Sequence, residues 1–194
     1  MRNILKYHLN YTFWVAVSTL TSGTVLQTFL MENGFSENTT NVVISIFQIV
    51  NIVVMMLCSR LADRVKNVIR AYAGLFLLYI PMVIMLAVIS FSSGITTVLA
   101  ILLFVGMALY STGSGLNCSM AYKLPYVIFD ISQYGRVCSV AGILTGIFGV
   151  AVSLLLTWLQ GTLGYSTAMK VMFLLCIPLT LAASASVMCM KPIA

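Results

Sequence analysis

Charge is what this sequence has least of. Four acidic and ten basic residues are spread over 194 positions, and charged residues make up 7% of the chain against 61% hydrophobic. So little polar material cannot coat a water-soluble domain of this length, and a mean hydropathy of +1.07 points the same way. The other scarcities exclude chemistry. The one histidine, His8, stands close to the N-terminus, so Ser114, flanked by Gly113 and Gly115 in an apolar run, has no general base to activate it. Glu32, Glu37, Asp63 and Asp130 all fall in or beside the gaps between apolar runs. No carboxylate pair, metal cluster or phosphate-binding loop can be assembled from them, and the chain reads as a non-enzyme without a cofactor. The five cysteines lie within or at the ends of apolar runs with no C-x-x-C spacing, which reads as apolar packing rather than disulfide or metal chemistry.

What is abundant is apolar length. A helix needs about 20 mostly apolar residues to cross a hydrocarbon core about 30 Å thick. Six runs meet that requirement, near 11–31, 42–61, 71–91, 96–121, 137–159 and 167–190. They are continuously apolar, without the alternation of lipid-facing barrel strands, so they predict helices. The expected fold is all-α: a polytopic membrane protein in which residues 1–194 form a single six-helix bundle with short loops, its partner a lipid bilayer. The apolar run that follows Arg2 and Lys6 is too long for a signal peptide, and Met31, Glu32, Asn33 and Gly34 offer no small-residue cleavage site.

Orientation follows from the cations. Arg2, Lys6, Arg60, Arg64, Lys66, Arg70, Lys123, Arg136 and Lys191 all fall on one side of the expected topology, and only Lys170 starts from the other, one turn inside the sixth run. Basic loops stay in the cytoplasm, so both termini are expected there, in a multi-pass protein of the plasma or inner membrane. The net charge of +6 is then a topology signal rather than a nucleic-acid footprint.

Polar residues inside apolar runs are costly unless they face a bundle interior or a water-filled cavity. Trp14, Ser18, Thr21, Val25 and Thr28 recur at helical spacing in the first run, beside Thr19, Gly23 and Gln27. Ser45, Gln48 and Asn51 do so in the second, and Gly106, Tyr110, Gly113 and Asn117 in the fourth, next to Ser114. Either these residues line a cavity or their amides serve as interhelical hydrogen-bond glue. In the fifth run Ser139, Gly142, Gly146, Gly149 and Ser153 step by three and four, a small-residue stripe that suits close packing against another helix.

The gap between the second and third runs reads Ser59-Arg60-Leu61-Ala62-Asp63-Arg64-Val65-Lys66-Asn67-Val68-Ile69-Arg70. It resembles the signature loop of the major facilitator superfamily: Leu61, Ala62, Asp63 and Arg64 match, whereas Ser59 and Lys66 stand where that pattern has glycine. Asn33-Gly34-Phe35-Ser36 and Tyr134-Gly135-Arg136-Val137 are also similar to that family. The resemblance spans the chain as the first six helices of a twelve-helix transporter. It implies a solute cavity among helices one, two and four, lined by Trp14, Gln27, Gln48, Asn51, Tyr110 and Asn117. It also implies a cytoplasmic latch in which Asp63, supported by Arg64 and Arg70, docks on a helix N-terminus of the other half. An ordinary charged loop obeying the cytoplasmic bias is the alternative for Asp63. The Gly142, Gly146 and Gly149 face could meet that other half.

The expected function is therefore secondary-active or facilitative transport of a small solute by alternating access. One six-helix bundle cannot rock alone, so the chain would act with a second six-helix half, as a homodimer, or stand as a truncated fragment. Two alternatives come from other classes: a six-helix substrate-capture subunit of an energy-coupling-factor-type importer, and a membrane scaffold that transports nothing.

Overall fold

The computed structural model describes residues 2–92 and 94–193; the side chains of Arg2, Leu61 and Ala62, two of which belong to the loop motif, lie outside what it describes. Among the described residues the chain is helical, with no strand. Six helical stretches are long and apolar enough to cross a membrane: Asn3–Glu32, Glu37–Arg60, Val68–Phe91, Thr97–Ala121, Ile131–Leu163 and Tyr165–Met188. They are numbered spans 1 to 6. Span 1 is built from α1 (Arg2–Thr21) and α2 (Gly23–Glu32), and span 2 from α3 (Glu37–Arg64). Span 3 is built from α4 (Val68–Leu75), a 3-10 turn (Phe76–Tyr79) and α5 (Ile80–Phe91). Spans 4, 5 and 6 are α6 (Thr97–Ala121), α8 (Ile131–Leu163) and α9 (Tyr165–Met188). The stretch expected as the longest loop contains the short helix α7 (Lys123–Ile128).

Helix limits exceed the apolar runs where polar residues find partners. Span 1 starts well before residue 11 because its early polar side chains are engaged. Asn10 Nδ2 donates to the Ala183 carbonyl at 3.0 Å, and Asn3 Nδ2 to the carbonyls of Lys191 at 2.8 Å and Ile128 at 3.3 Å. Lys6 Nζ donates to the Cys189 carbonyl at the end of α9, a group that has no acceptor role left inside its own helix. At 33 residues, α8 runs about 50 Å at roughly 1.5 Å per residue, which carries it past both faces of a hydrocarbon core.

The prolines of spans 3 and 6 behave differently: Pro81 stands in the first turn of α5, Pro178 in the interior of α9. A proline at position 81 has no N–H to give to the carbonyl of Leu77. The Ile80 N–H takes that carbonyl instead, in 3-10 geometry, and Tyr79 at the end of that turn is fully buried. Pro178 sits inside α9 without interrupting it.

Packing follows a pattern that is preserved when spans 1, 2 and 3 are exchanged with spans 4, 5 and 6. Span 2 lies on span 4 as span 5 lies on span 1, span 1 lies on span 6 as span 4 lies on span 3, and spans 3 and 6 meet in the middle; the pairings of spans 5 and 6 and of spans 1 and 2 fall outside the pattern. Spans 2 and 5 are consequently peripheral, with 0% and 11% of their most apolar windows buried against about 33–44% in the other four. Where helices approach most closely, α6 supplies glycine. A Cβ on Gly115 would stand 2.5 Å from the Asn51 carbonyl oxygen of α3, and one on Gly106 would stand 2.9 Å from Met82 Cα of α5. Small residues of this kind permit backbone contact between helices in lipid, where no hydrophobic force draws them together.

The N-terminus, the turn at 65–67, α7 and the C-terminal tail gather at one end. Asn3 ties α1 to α7 and the tail, the Ile193 N–H donates to the Val127 carbonyl at 2.9 Å, and Lys123 Nζ donates to the Asp63 carbonyl at 2.8 Å. At the opposite end Lys170 Nζ lies 5.4 Å from the centre of the Phe91 ring.

Candidate functional site

Span 1 breaks about two-thirds of the way along its length. Ser22 is extended (φ −139°, ψ 176°) and Gly23 adopts φ +58°, a left-handed conformation that side chains resist. The Ser22 hydroxyl turns back to the Ser18 carbonyl at 2.5 Å and does not cap α2. The first amides of α2 are thereby left without a side-chain acceptor beside a cavity that Ser22 and Gly23 help to line.

That cavity encloses about 460 Å³ and is walled by spans 1, 2 and 4, with Met82 of span 3 contributing. Span 1 presents Trp14, Ser18, Thr21 and Leu26. Span 2 presents Ile44, Phe47, Gln48, Asn51 and Ile52, and span 4 presents Met107, Tyr110, Ser111 and Ser114. These positions repeat every three or four residues, so each helix shows the cavity one face. All lie within about two turns of the middle of their spans. No lining residue is charged.

One wall is preorganised by aromatic packing. Trp14 stacks on Tyr79 with centroids 4.2 Å apart and lies 6.1 Å from Tyr110, whose ring is 4.9 Å from that of Tyr79. Such pairs contribute roughly 0.5–1.5 kcal/mol each beyond their area. The hydroxyls of Tyr110 and Thr21 are 3.1 Å apart, and Asn117 Nδ2 donates to the Tyr79 hydroxyl at 3.1 Å. The opposite wall is not satisfied in this way: the side chains of Gln48, Asn51, Ser111 and Ser114 form no hydrogen bond with the described residues. Gln48 is exposed, Asn51 and Ser114 are half-buried and Ser111 is buried, so this wall presents polar groups to whatever fills the cavity.

No family model matches this sequence, and the searches of curated proteins and of solved structures return no match.

Of the residues expected to line a cavity, Trp14, Gln48, Asn51 and Tyr110 do so together. Gln27 does not; its Nε2 donates to Asn41 Oδ1 at 2.8 Å, bridging α2 to α3. Asn117 is buried on Tyr79, as interhelical glue. Ser22, Met82 and Ser111 were not singled out by spacing. A Ser-Gly pair inside an apolar run is nevertheless a readable breaker signal for Ser22. Asp63, Arg64 and Arg70 are exposed at the basic end, and the engaged group of Asp63 is its carbonyl, held by Lys123. Gly149 lies 3.7 Å by its virtual Cβ from Val15, whereas Gly142 and Gly146 have no atom within 4 Å and face outward.

Proposed function

We propose that the chain is one six-helix lobe of a solute carrier that works by alternating access across a cell membrane, with its basic end in the cytoplasm. The observation that carries this reading is the uncharged cavity at mid-height, where Gln48, Asn51, Ser111 and Ser114 offer unused hydrogen-bonding groups beside Trp14 and Tyr110. A bundle whose only task was to scaffold would gain by pairing those groups or replacing them with apolar ones. The exchange pattern of the spans and the loop motif around Asp63 agree with a major-facilitator-like lobe. The weak burial of spans 2 and 5 leaves two faces for a second six-helix half or a second copy of this chain. The solute is a small molecule, and the lining selects against net charge because no counter-charge waits for it.

The test is thiol labelling. Cysteines placed singly at Gln48 and Ser114, in a chain whose five native cysteines are replaced, should react with a membrane-impermeant reagent added to proteoliposomes. Protection of both positions from both sides would overturn the reading. Nanomolar solute binding by the isolated chain would instead identify a capture subunit that needs no second lobe.

A further inference from the structure

An open groove at the basic end, apart from the first cavity, has a volume of about 430 Å³, and Lys66, Asn67, Arg70, Met188 and Pro192 on its walls are exposed. Its lining divides into two halves. Lys66, Asn67 and Arg70 form a cationic side, and Val127, Met188, Met190 and Pro192 form an apolar side. The cationic side is also the first turn of α4, where Asn67 Oδ1 accepts from the Arg70 N–H at 3.1 Å while Val68 and Ile69 face the cavity. The helix dipole there adds positive potential to that of the two side chains. Neither Lys66 nor Arg70 meets a carboxylate among the described residues. The apolar side is built rather than incidental: the Ile193 N–H holds the tail to Val127, Asn3 holds it at Lys191, and Met190 is buried. The pocket lies at the start of span 3 and the end of span 6, where the apolar stretches give way to the basic end.

We infer that this pocket binds one anionic phospholipid, its phosphate between Lys66 and Arg70 and its glycerol and upper acyl carbons against Val127, Met188 and Pro192. Two unpaired cations at a helix N-terminus select a phosphate, and an apolar wall in the same cavity selects a phosphate that carries hydrocarbon. Free phosphate shares the first feature and gains nothing from the second. The site is independent of the solute cavity and holds whether or not the chain transports anything.

The experiment is native mass spectrometry of the intact chain released from nanodiscs containing equal amounts of phosphatidylglycerol and phosphatidylcholine. Retention of one phosphatidylglycerol is expected, falling at least tenfold in Lys66→Gln/Arg70→Gln and surviving in the charge-conserving Lys66→Arg/Arg70→Lys. The control Arg60→Gln/Arg64→Gln removes two charges from the same end outside the pocket and should retain the lipid. Equal loss in that control would assign retention to diffuse charge and overturn the site. So would unchanged retention in Lys66→Gln/Arg70→Gln, or full displacement by millimolar inorganic phosphate, which would make this a simple anion site.

Discussion

The seam between α3 and α6 is the most demanding contact in the bundle, and Gly115→Ala tests it. The added methyl would fall 2.5 Å from the Asn51 carbonyl oxygen, 3.0 Å from Val54 Cβ and 3.1 Å from the Met55 nitrogen. Two of these are backbone atoms, so no rotamer change relieves them. An ordinary C···O approach is about 3.3 Å, and restoring it requires the helices to part by roughly 0.8 Å. A gap of that size forfeits a quarter to a half of each dispersion contact along the seam. For α3 the loss is severe because α6 is its principal partner and its contact with α2 is slight. The expected cost is about 1–3 kcal/mol, the range for overpacking a close-packed interior. Unfolding in mixed micelles by added dodecyl sulfate, followed through the fluorescence of Trp14 and Trp158, should show a lower midpoint. The controls are Gly142→Ala and Gly146→Ala, whose new methyls would meet nothing within 4 Å, and which should leave the midpoint unchanged or slightly raised. Equal midpoints for Gly115→Ala and the parent protein, or an equal fall in the outward-facing controls, would refute this account of the seam.

Three further outcomes are expected. Tyr79→Phe removes the hydroxyl to which the buried Asn117 amide donates and should lower stability by about 1 kcal/mol in the same titration, most of it recovered when Asn117 is also changed to Val. Gly23→Ala meets no neighbouring atom but must hold φ +58°, so a loss of about 1–2 kcal/mol is expected from backbone strain alone, with Asn tolerated better than Ala at that position. Asn3→Ala removes the tie between α1, α7 and the tail; hydrogen exchange at the amides of Lys191 and Ile193 should quicken while the amides of α6 stay protected.

Much of the architecture was legible because lipid permits so few solutions. Apolar length alone located six helices, and the skew of the cations put the ends that carry them together. Lys123, Lys66, Lys6 and Lys191 do share one end, and Lys170 lies at the other. Where sequence reasoning stopped was in judging which polar side chains already have partners. Gln48 and Gln27 look alike as polar residues in apolar runs, but Asn41 lies within reach of Gln27 across the α2–α3 turn, a neighbour no periodicity reveals. Asn117 follows the Tyr110 stripe and yet donates to Tyr79, a buried phenol of span 3 that no stripe in the sequence marks as its partner. The small-residue stripe of α8 likewise shows its spacing in sequence but not its direction, which depends on how α8 rolls against α1.

The seam with α6, which is the main fastening of α3, has a bearing on how the protein is made. Met55 and Ser119, which meet across it, are 64 residues apart in the chain. At about 5–20 residues per second a ribosome delivers the second partner roughly 3–13 s after the first. For that interval the newborn second span waits in the bilayer with its Asn51 side unclaimed, within reach of insertases, quality-control proteases and other nascent chains.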